Sequence, residues 1–321
     1  MRQEARDVVL AADQADQVPV LVAYNLPFRD CAQYSAGGAR STAEYEAWVD
    51  AVARGIGSRE AVVILEPDGL GIIPWYTNAA GELEWCQPAE ADPATAAAER
   101  FEQLDHAVDA LTRLSSTAVY LDGTHSDWLS VGEVSDRLLQ AGVERTDGFF
   151  LSVSNYQETE DLVDHGEWIS RCTSLGTRVE GFDPTTCASQ DPPSTAAEAD
   201  AWYERAFAEA GLGFDPDDAA HFVIDTSRNG RGPWTPTQTY PDPQVWCNPP
   251  DRGLGLRPTT DTGHPLLDAH LWVKVPGESD GQCYRGTSGP QDPARGAVDP
   301  AAGQWFPEQA RELIELADPP V

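Results

Sequence analysis

Ala118-Val-Tyr-Leu-Asp122-Gly-Thr-His125-Ser-Asp-Trp128-Leu-Ser-Val-Gly-Glu-Val-Ser-Asp-Arg-Leu-Leu-Gln-Ala141-Gly-Val-Glu-Arg-Thr-Asp-Gly148-Phe-Phe-Leu-Ser-Val153 contains the pattern from which the rest of the chain is built. Residues 118–121 are apolar and β-prone, 131–141 carry apolar side chains at i, i+3 and i+4 spacing, and 148–153 are apolar again. A strand, a helix and a second strand in this order make a unit whose strands run parallel. The alternation extends in both directions, with apolar runs at 18–24, 61–65, 221–224 and 266–275 and helical patterns at 42–55, 94–114 and 196–210. The expectation is an α/β fold with a mainly parallel sheet. Six strands fall short of what closes a typical α/β barrel, so an open sheet is the alternative. One domain over 1–321 is expected, since α/β barrels reach this length.

In parallel α/β folds the loops leaving the carboxyl ends of the strands open into a shared crevice, and reactive groups gather there. Acids fill those places: Asp30 after the first run, Glu66 and Asp68 after the second, Asp122 after the third, Asp225 after the fifth, and Glu278 and Asp280 after the sixth. Crowded carboxyls shift one another's pKa, so one stays protonated while another is ionised. That is the equipment for glycoside hydrolysis, in which an acid protonates the leaving oxygen and a carboxylate acts with water on the other face. Taken singly, Asp68 could instead cap a following helix, and Arg228 and Asp225 could be a buried ion pair.

Long loops at 69–93, 229–254 and 281–304 are of a length usually kept for lids and binding surfaces. Residues 172–194 read as a further excursion pinned by its two cysteines. Trp75, Trp85, Trp128, Trp234, Trp246 and Trp272 lie in or beside these segments, and an exposed indole offers a flat apolar face to a sugar ring. Lys274 is the sole lysine, placed where a point contact to a hydroxyl suits it better than the fork of an arginine.

The formal charge of −32, from 53 acidic against 21 basic residues, repels nucleic acid and anionic lipid. A run of about 18 apolar residues, as a membrane span needs, is absent. Six cysteines without C-x-x-C or metal-finger spacing read as disulfides of an oxidising compartment, with every pairing open. Residues 1–9 read as a charged helix and not as a signal peptide. Neither G-x-S-x-G, H-E-x-x-H nor a phosphate loop occurs, and no metal or cofactor is implied.

Tyr24-Asn-Leu-Pro-x-Arg-Asp30-Cys31, Leu65-Glu-Pro-Asp68, Ser154-Asn155-Tyr156, Ile224-Asp-Thr-Ser-Arg228-Asn-Gly230, Trp246-Cys247-Asn248 and Trp272-Val-Lys274-x-Pro-Gly-Glu278-Ser-Asp280-Gly281 together resemble the ordered motifs of glycoside hydrolase family 6, most like its bacterial exo-acting members. The resemblance covers nearly the whole chain. It implies a distorted, seven-stranded parallel α/β barrel that hydrolyses β-1,4-glucan with inversion. It also implies that Asp68 is the general acid, with Asp30 raising its pKa and helping to arrange the water. Asp280 is then the candidate base, with a water relay to Asp30 as its rival, and Tyr24 assists distortion of the sugar. Asp122 would support substrate binding and charge balance. Trp128, Asn155, Arg228, Trp246, Trp272, Lys274 and Glu278 would bind substrate. The implied disulfides are Cys31–Cys86, Cys247–Cys283 and Cys172–Cys187. The implied partners are cellulose and cello-oligosaccharides, met by a secreted monomer. The long loops look like the lids that roof the channel in cellobiohydrolases, which release cellobiose from non-reducing ends. An endo-acting glucanase is the alternative, and a non-catalytic glucan-binding protein is the alternative from another class.

Two positions depart from the pattern. Ala36 stands where the family has a water-holding serine, with Ser35 beside it. The family also has a strand before the equivalent of 18–24, and this chain begins in the helix that should follow it. The expectation is that the first strand is missing, that Met1 is an internal start or an artificial boundary, and that a strand and an export signal lie upstream, with room for a binding module. A sheet without that strand would have an unpaired edge.

Overall fold

The computed structural model describes residues 1–189 and 195–321. Its apolar runs pair side by side in chain order as β1 (Val20–Ala23), β2 (Ala61–Leu65), β3 (Thr117–Asp122), β4 (Gly148–Leu151), β5 (His221–Asp225) and β6 (Leu267–Leu271). Every pairing is parallel. Parallel neighbours need a crossover between them; the first four are supplied by α2 (Thr42–Ile56), α3 (Ala96–Thr112), α4 (Val131–Gln140) and the pair α5 (Thr159–Arg178) and α6 (Ala196–Glu209), and the fifth, from β5 to β6, by the long connection 226–266, which contains no helix. The first helix, α1 (Arg2–Gln14), packs on α2, and α7 (Pro307–Glu315) follows the last long loop.

Alternation along the strands divides the core in two. Val63, Leu65, Val119, Leu121, Phe149, Leu151, Phe222 and Ile224 face the helices and join one large cluster with Val49, Leu104, Val134 and Ile169. Ile64, Tyr120, Phe150, Val223 and Ala269 face the other way and form a small cluster to which no helix contributes. A sheet covered by helices on one face must curl to bury its second apolar face on itself. The result is a curled half-barrel in which β1 and β6 are not paired with each other. Val20 and Val22 on the β1 edge are 38% and 45% exposed.

Several expectations need correction. The sixth run, expected over 266–275, pairs only as far as Leu271, because the N–H groups of Val273 and Lys274 donate instead to the Asp225 carboxylate. Asp68 caps no helix, since the chain from Glu66 to Thr95 contains none. Residues 172–194 are not one loop: Cys172 lies within α5, whose buried stripe of Leu162, Ile169, Cys172 and Leu175 is diluted by Gly166, Ser170 and Thr173. Residues 190–194 of that stretch lie outside the described residues. The three disulfides join Cys31 to Cys86, Cys172 to Cys187 and Cys247 to Cys283.

Phe149 and Phe222 stack with centroids 5.6 Å apart and are fully buried between sheet and helices. Truncating Phe149 to alanine leaves a cavity that rigid neighbours cannot fill, and it should cost about 3–5 kcal/mol. The measurement is the urea unfolding midpoint, which should fall; an unmoved midpoint would contradict this packing.

Candidate active site

At the carboxyl ends of the strands, an acid on one strand grips the loop of a neighbour. Glu66, just past β2, accepts hydrogen bonds from the N–H groups of Asn25 and Leu26 after β1, at 2.8–3.0 Å. Asp122, ending β3, accepts from Leu70 and Gly71 after β2, both at 3.1 Å. Asp225, ending β5, accepts from Ser154 after β4 and from Val273 and Lys274 after β6. The gripped loops turn sharply. Asp30, Cys31, Ala32, Glu66, Asp68, Thr124, Ser152 and Ser154 all have positive φ, and left-handed residues other than glycine concentrate where structure holds a functional geometry in place. Gly71 lies so close to Trp128 that a Cβ there would meet the indole at 2.3 Å.

These loops enclose a cleft of about 620 Å³ lined by Tyr24, Asp30, Asp68, Trp128, Asn155, Trp246, Lys274, Glu278 and Asp280. Burial, and then the negative charges of Asp122 and Asp30, push the Asp68 carboxyl well above its ordinary value. Burial raises Asp30 too, against the Ser35 N–H that donates to its Oδ2 at 2.7 Å and the nearby Arg29. The Tyr24 hydroxyl is held protonated by burial and by the carboxylates of Asp68 and Asp30.

Asp280 is the opposite case. Burial alone would raise it, but Arg228 and Lys274 hold it below its ordinary value. Its Oδ2 accepts from Arg228 Nη1 at 2.9 Å and from the Asn248 N–H at 3.0 Å, and its Oδ1 lies 3.5 Å from Lys274 Nζ. Ser154 Oγ and Tyr156 Oη stand at 3.3 and 3.4 Å. The site therefore pairs a carboxyl whose proton affinity is raised with one whose proton affinity is lowered.

Nine of the twelve residues singled out from the sequence line this one cleft; Asp122, Arg228 and Trp272 do not. Asp122 lies behind Asp68, 2% exposed, its carboxyl raised to about 6 by burial against three backbone donors. Arg228 lies behind Asp280, stacked on Tyr156 at 4.5 Å, and so pairs with Asp280 where Asp225 was the expected partner. Trp272 turns away and donates its Nε1–H to the carbonyl of Leu256. Ser35 faces the cleft, and Ala36 is not part of the lining. Asn248 was not picked out as a site residue. It is fully buried, donates its backbone N–H to the Asp280 carboxylate and accepts the Asp280 N–H on its side-chain oxygen. Its place beside Cys247 in a short motif was the only signal available. Cys283, Asp292 and Asp299 come within reach of one cation, but the sulfur is bonded to Cys247 and Asp292 forks with Arg285, so they do not fit a metal.

Residues 1–317 match the family described as Glycosyl hydrolases family 6. Endoglucanase A of Cellulomonas fimi is 35% identical over 98% of this chain and 51% of that protein. A probable 1,4-beta-D-glucan cellobiohydrolase C of Aspergillus fumigatus is 31% identical over 94% of this chain and 62% of that protein. Among solved structures, an endoglucanase of Mycobacterium tuberculosis in complex with methyl-cellobiosyl-4-deoxy-4-thio-beta-D-cellobioside superposes with a TM-score of 0.70 at 34% identity, covering 97% of this chain and 80% of that one. The chain spans about half the length of the first of these curated relatives.

The electrostatics predict a shift that can be observed directly. Asp30 contributes negative charge beside Asp68, so Asp30→Asn stabilises the Asp68 carboxylate and lowers its pKa. Carbon-13 NMR of the Asp68 carboxyl should show its titration midpoint moving to lower pH; an unmoved midpoint would break the assigned coupling.

Proposed function

Because the chain belongs to glycosyl hydrolase family 6, we propose that it hydrolyses β-1,4-glucosidic bonds of cellulose and cello-oligosaccharides with inversion, as a secreted monomer working without a cofactor. The observation that carries this reading is the pair of carboxyls with opposite shifts of proton affinity in one cleft, Asp68 raised and Asp280 lowered.

Asp68 gives its proton to the glycosidic oxygen as the bond from that oxygen to the anomeric carbon breaks. A water attacks the anomeric carbon from the other face, and its proton must pass to a carboxylate. Asp280 is a weak acceptor, with its oxygens engaged by Arg228, Asn248 and Lys274 and its basicity depressed. Asp30 is the better base, its proton affinity raised and, among the described residues, only its Oδ2 hydrogen-bonded, by the Ser35 N–H. The Ser35 carbonyl already accepts from Arg29 Nε, which leaves the Ser35 hydroxyl to hold the water that passes the proton on. Asp280 then favours the positive charge that develops on the sugar. Asp122 serves the site through Asp68 and its loop, and Arg228 through Asp280. Trp128, Trp246, Asn155, Lys274 and Glu278 bind the sugars.

Internal cleavage is the mode this geometry supports best. The 69–93 loop folds back on α4, where Ala79 donates to Glu133 and Arg137 takes the Leu70 carbonyl and the Glu84 carboxylate. Among the described residues no hydrogen bond joins that loop to 229–254 or 281–304, and loops that are not tied together across the cleft leave room for a chain to enter at its middle. One observation favours the second reading, release of cellobiose from non-reducing ends. The Tyr34 hydroxyl donates to Gln244 Oε1 and accepts the Tyr284 N–H, tying the turn that carries Asp30 to both far loops.

Cellotetraose incubated with this chain should give fresh α-cellobiose by proton NMR, and Asp68→Ala should slow the reaction on the order of 10²–10⁴-fold. Fresh β-anomer, or equal rates in the variant, would refute the mechanism. Loss of viscosity of carboxymethylcellulose ahead of new reducing ends identifies internal cleavage; the reverse identifies release from ends.

A further inference from the structure

Trp85 is the most exposed of the tryptophans that line the cleft, at 54% against 37% for Trp128. Its exposure does not come from a loose loop. Residues 75–86 double back on themselves: the N–H of Trp75 donates to the Cys86 carbonyl, that of Glu84 to Tyr76, and Thr77 pairs with Leu83. On one side of Trp85, the Glu84 carboxylate is ion-paired with Arg137, which is fully buried. On the other, Cys86 is 1% exposed and bonded to Cys31, the residue after Asp30. Between these two anchors the chain bends at Trp85, and the indole stands exposed in the cleft that Gln33, Asp30 and Asp68 also line.

We propose that Trp85 is a sugar platform of the cleft, its indole stacked on one glucosyl ring of a bound β-1,4-glucan chain beside Asp30. The inference rests on the glucanase reading above and adds a contact that none of the sequence motifs assigns. A β-glucosyl ring carries its hydroxyls around its rim and C–H groups on its faces, which suits the face of an indole. An α-1,4-linked chain coils away from a flat surface. Because the disulfide and the Arg137 pair hold the segment on both sides, stacking orders little that was free beforehand. The same anchors fix the platform relative to Asp30 and Asp68, so the ring it holds sets the register of the chain against the reacting bond.

The test compares wild type, Trp85→Ala and Trp85→Phe with cellohexaose and maltohexaose. Binding is followed by calorimetry in the Asp68→Ala background and turnover in the active chain. Loss of one stacked ring should weaken cellohexaose binding about three- to tenfold in Trp85→Ala, with the fall in kcat/KM carried mainly by KM, and phenylalanine should restore most of it. Maltohexaose should bind none of the three. Wild type that cleaves cellohexaose while Trp85→Ala keeps its affinity and KM within about twofold overturns the platform alone. Wild type that neither binds nor cleaves cellohexaose overturns the glucanase reading and the platform with it. A phenylalanine variant as weak as alanine, with an unchanged thermal transition, also counts against stacking.

Discussion

A carboxylate at the end of one strand, hydrogen-bonded to backbone N–H groups in the loop of the next, is the contact on which the site depends. Long loops without helix or strand leave their N–H groups without partners, and a buried N–H without one is costly. Glu66, Asp122 and Asp225 meet that need across neighbouring strands. The loops that carry Tyr24, Asp30, Asp68 and Lys274 are thereby tied to the sheet edge. Burying these acids raises them, Glu66 to about 7 and Asp122 to about 6, in spite of their donors. The negative charge of Asp122 raises Asp68 in turn. The same group thus positions the loop of Asp68 and raises the proton affinity of its carboxyl.

Arginine completes the scheme from the carbonyl side. Arg100 reaches the carbonyls of Pro27, Gly69 and Ile72, and so links the loops after β1 and β2. Arg285, with no exposed surface, reaches Pro243, Gln244 and Cys247 and forks with Asp292, and so ties 229–254 to 281–304. A planar fork with several donors holds irregular backbone in a way that a lysine cannot. This accounts for a chain that is almost devoid of lysine while fully burying three arginines.

The net charge of −32 and the local charge of the cleft have different consequences. The first keeps polyanions away over long range. The second is set within a few ångströms, where Arg228 and Lys274 offset Asp280 and no cation contacts Asp68 closely enough to reverse its burial. A neutral polymer meets no barrier from the first.

Alternating apolar runs and amphipathic helices determined the parallel α/β fold directly, because strand and helix periods are local properties of side-chain order; the acids at strand ends were legible for the same reason. Where the runs were diluted, the reading failed: α5 buries Gly166, Ser170 and Thr173, and β6 stops short because Asp225 takes the N–H groups of Val273 and Lys274. Nothing local distinguishes Asp122 from Asp280, both acids at strand ends. Only the folded chain turns one toward backbone N–H groups and the other toward Arg228 across the sheet. Nor does sequence separate Trp85 from Trp272, since an indole's place depends on whether its neighbours are anchored, and those anchors lie far away along the chain at Cys31 and Arg137. Residue type and order determined which chemistry was available; distant contacts decided which groups hold the loops and which face the cleft.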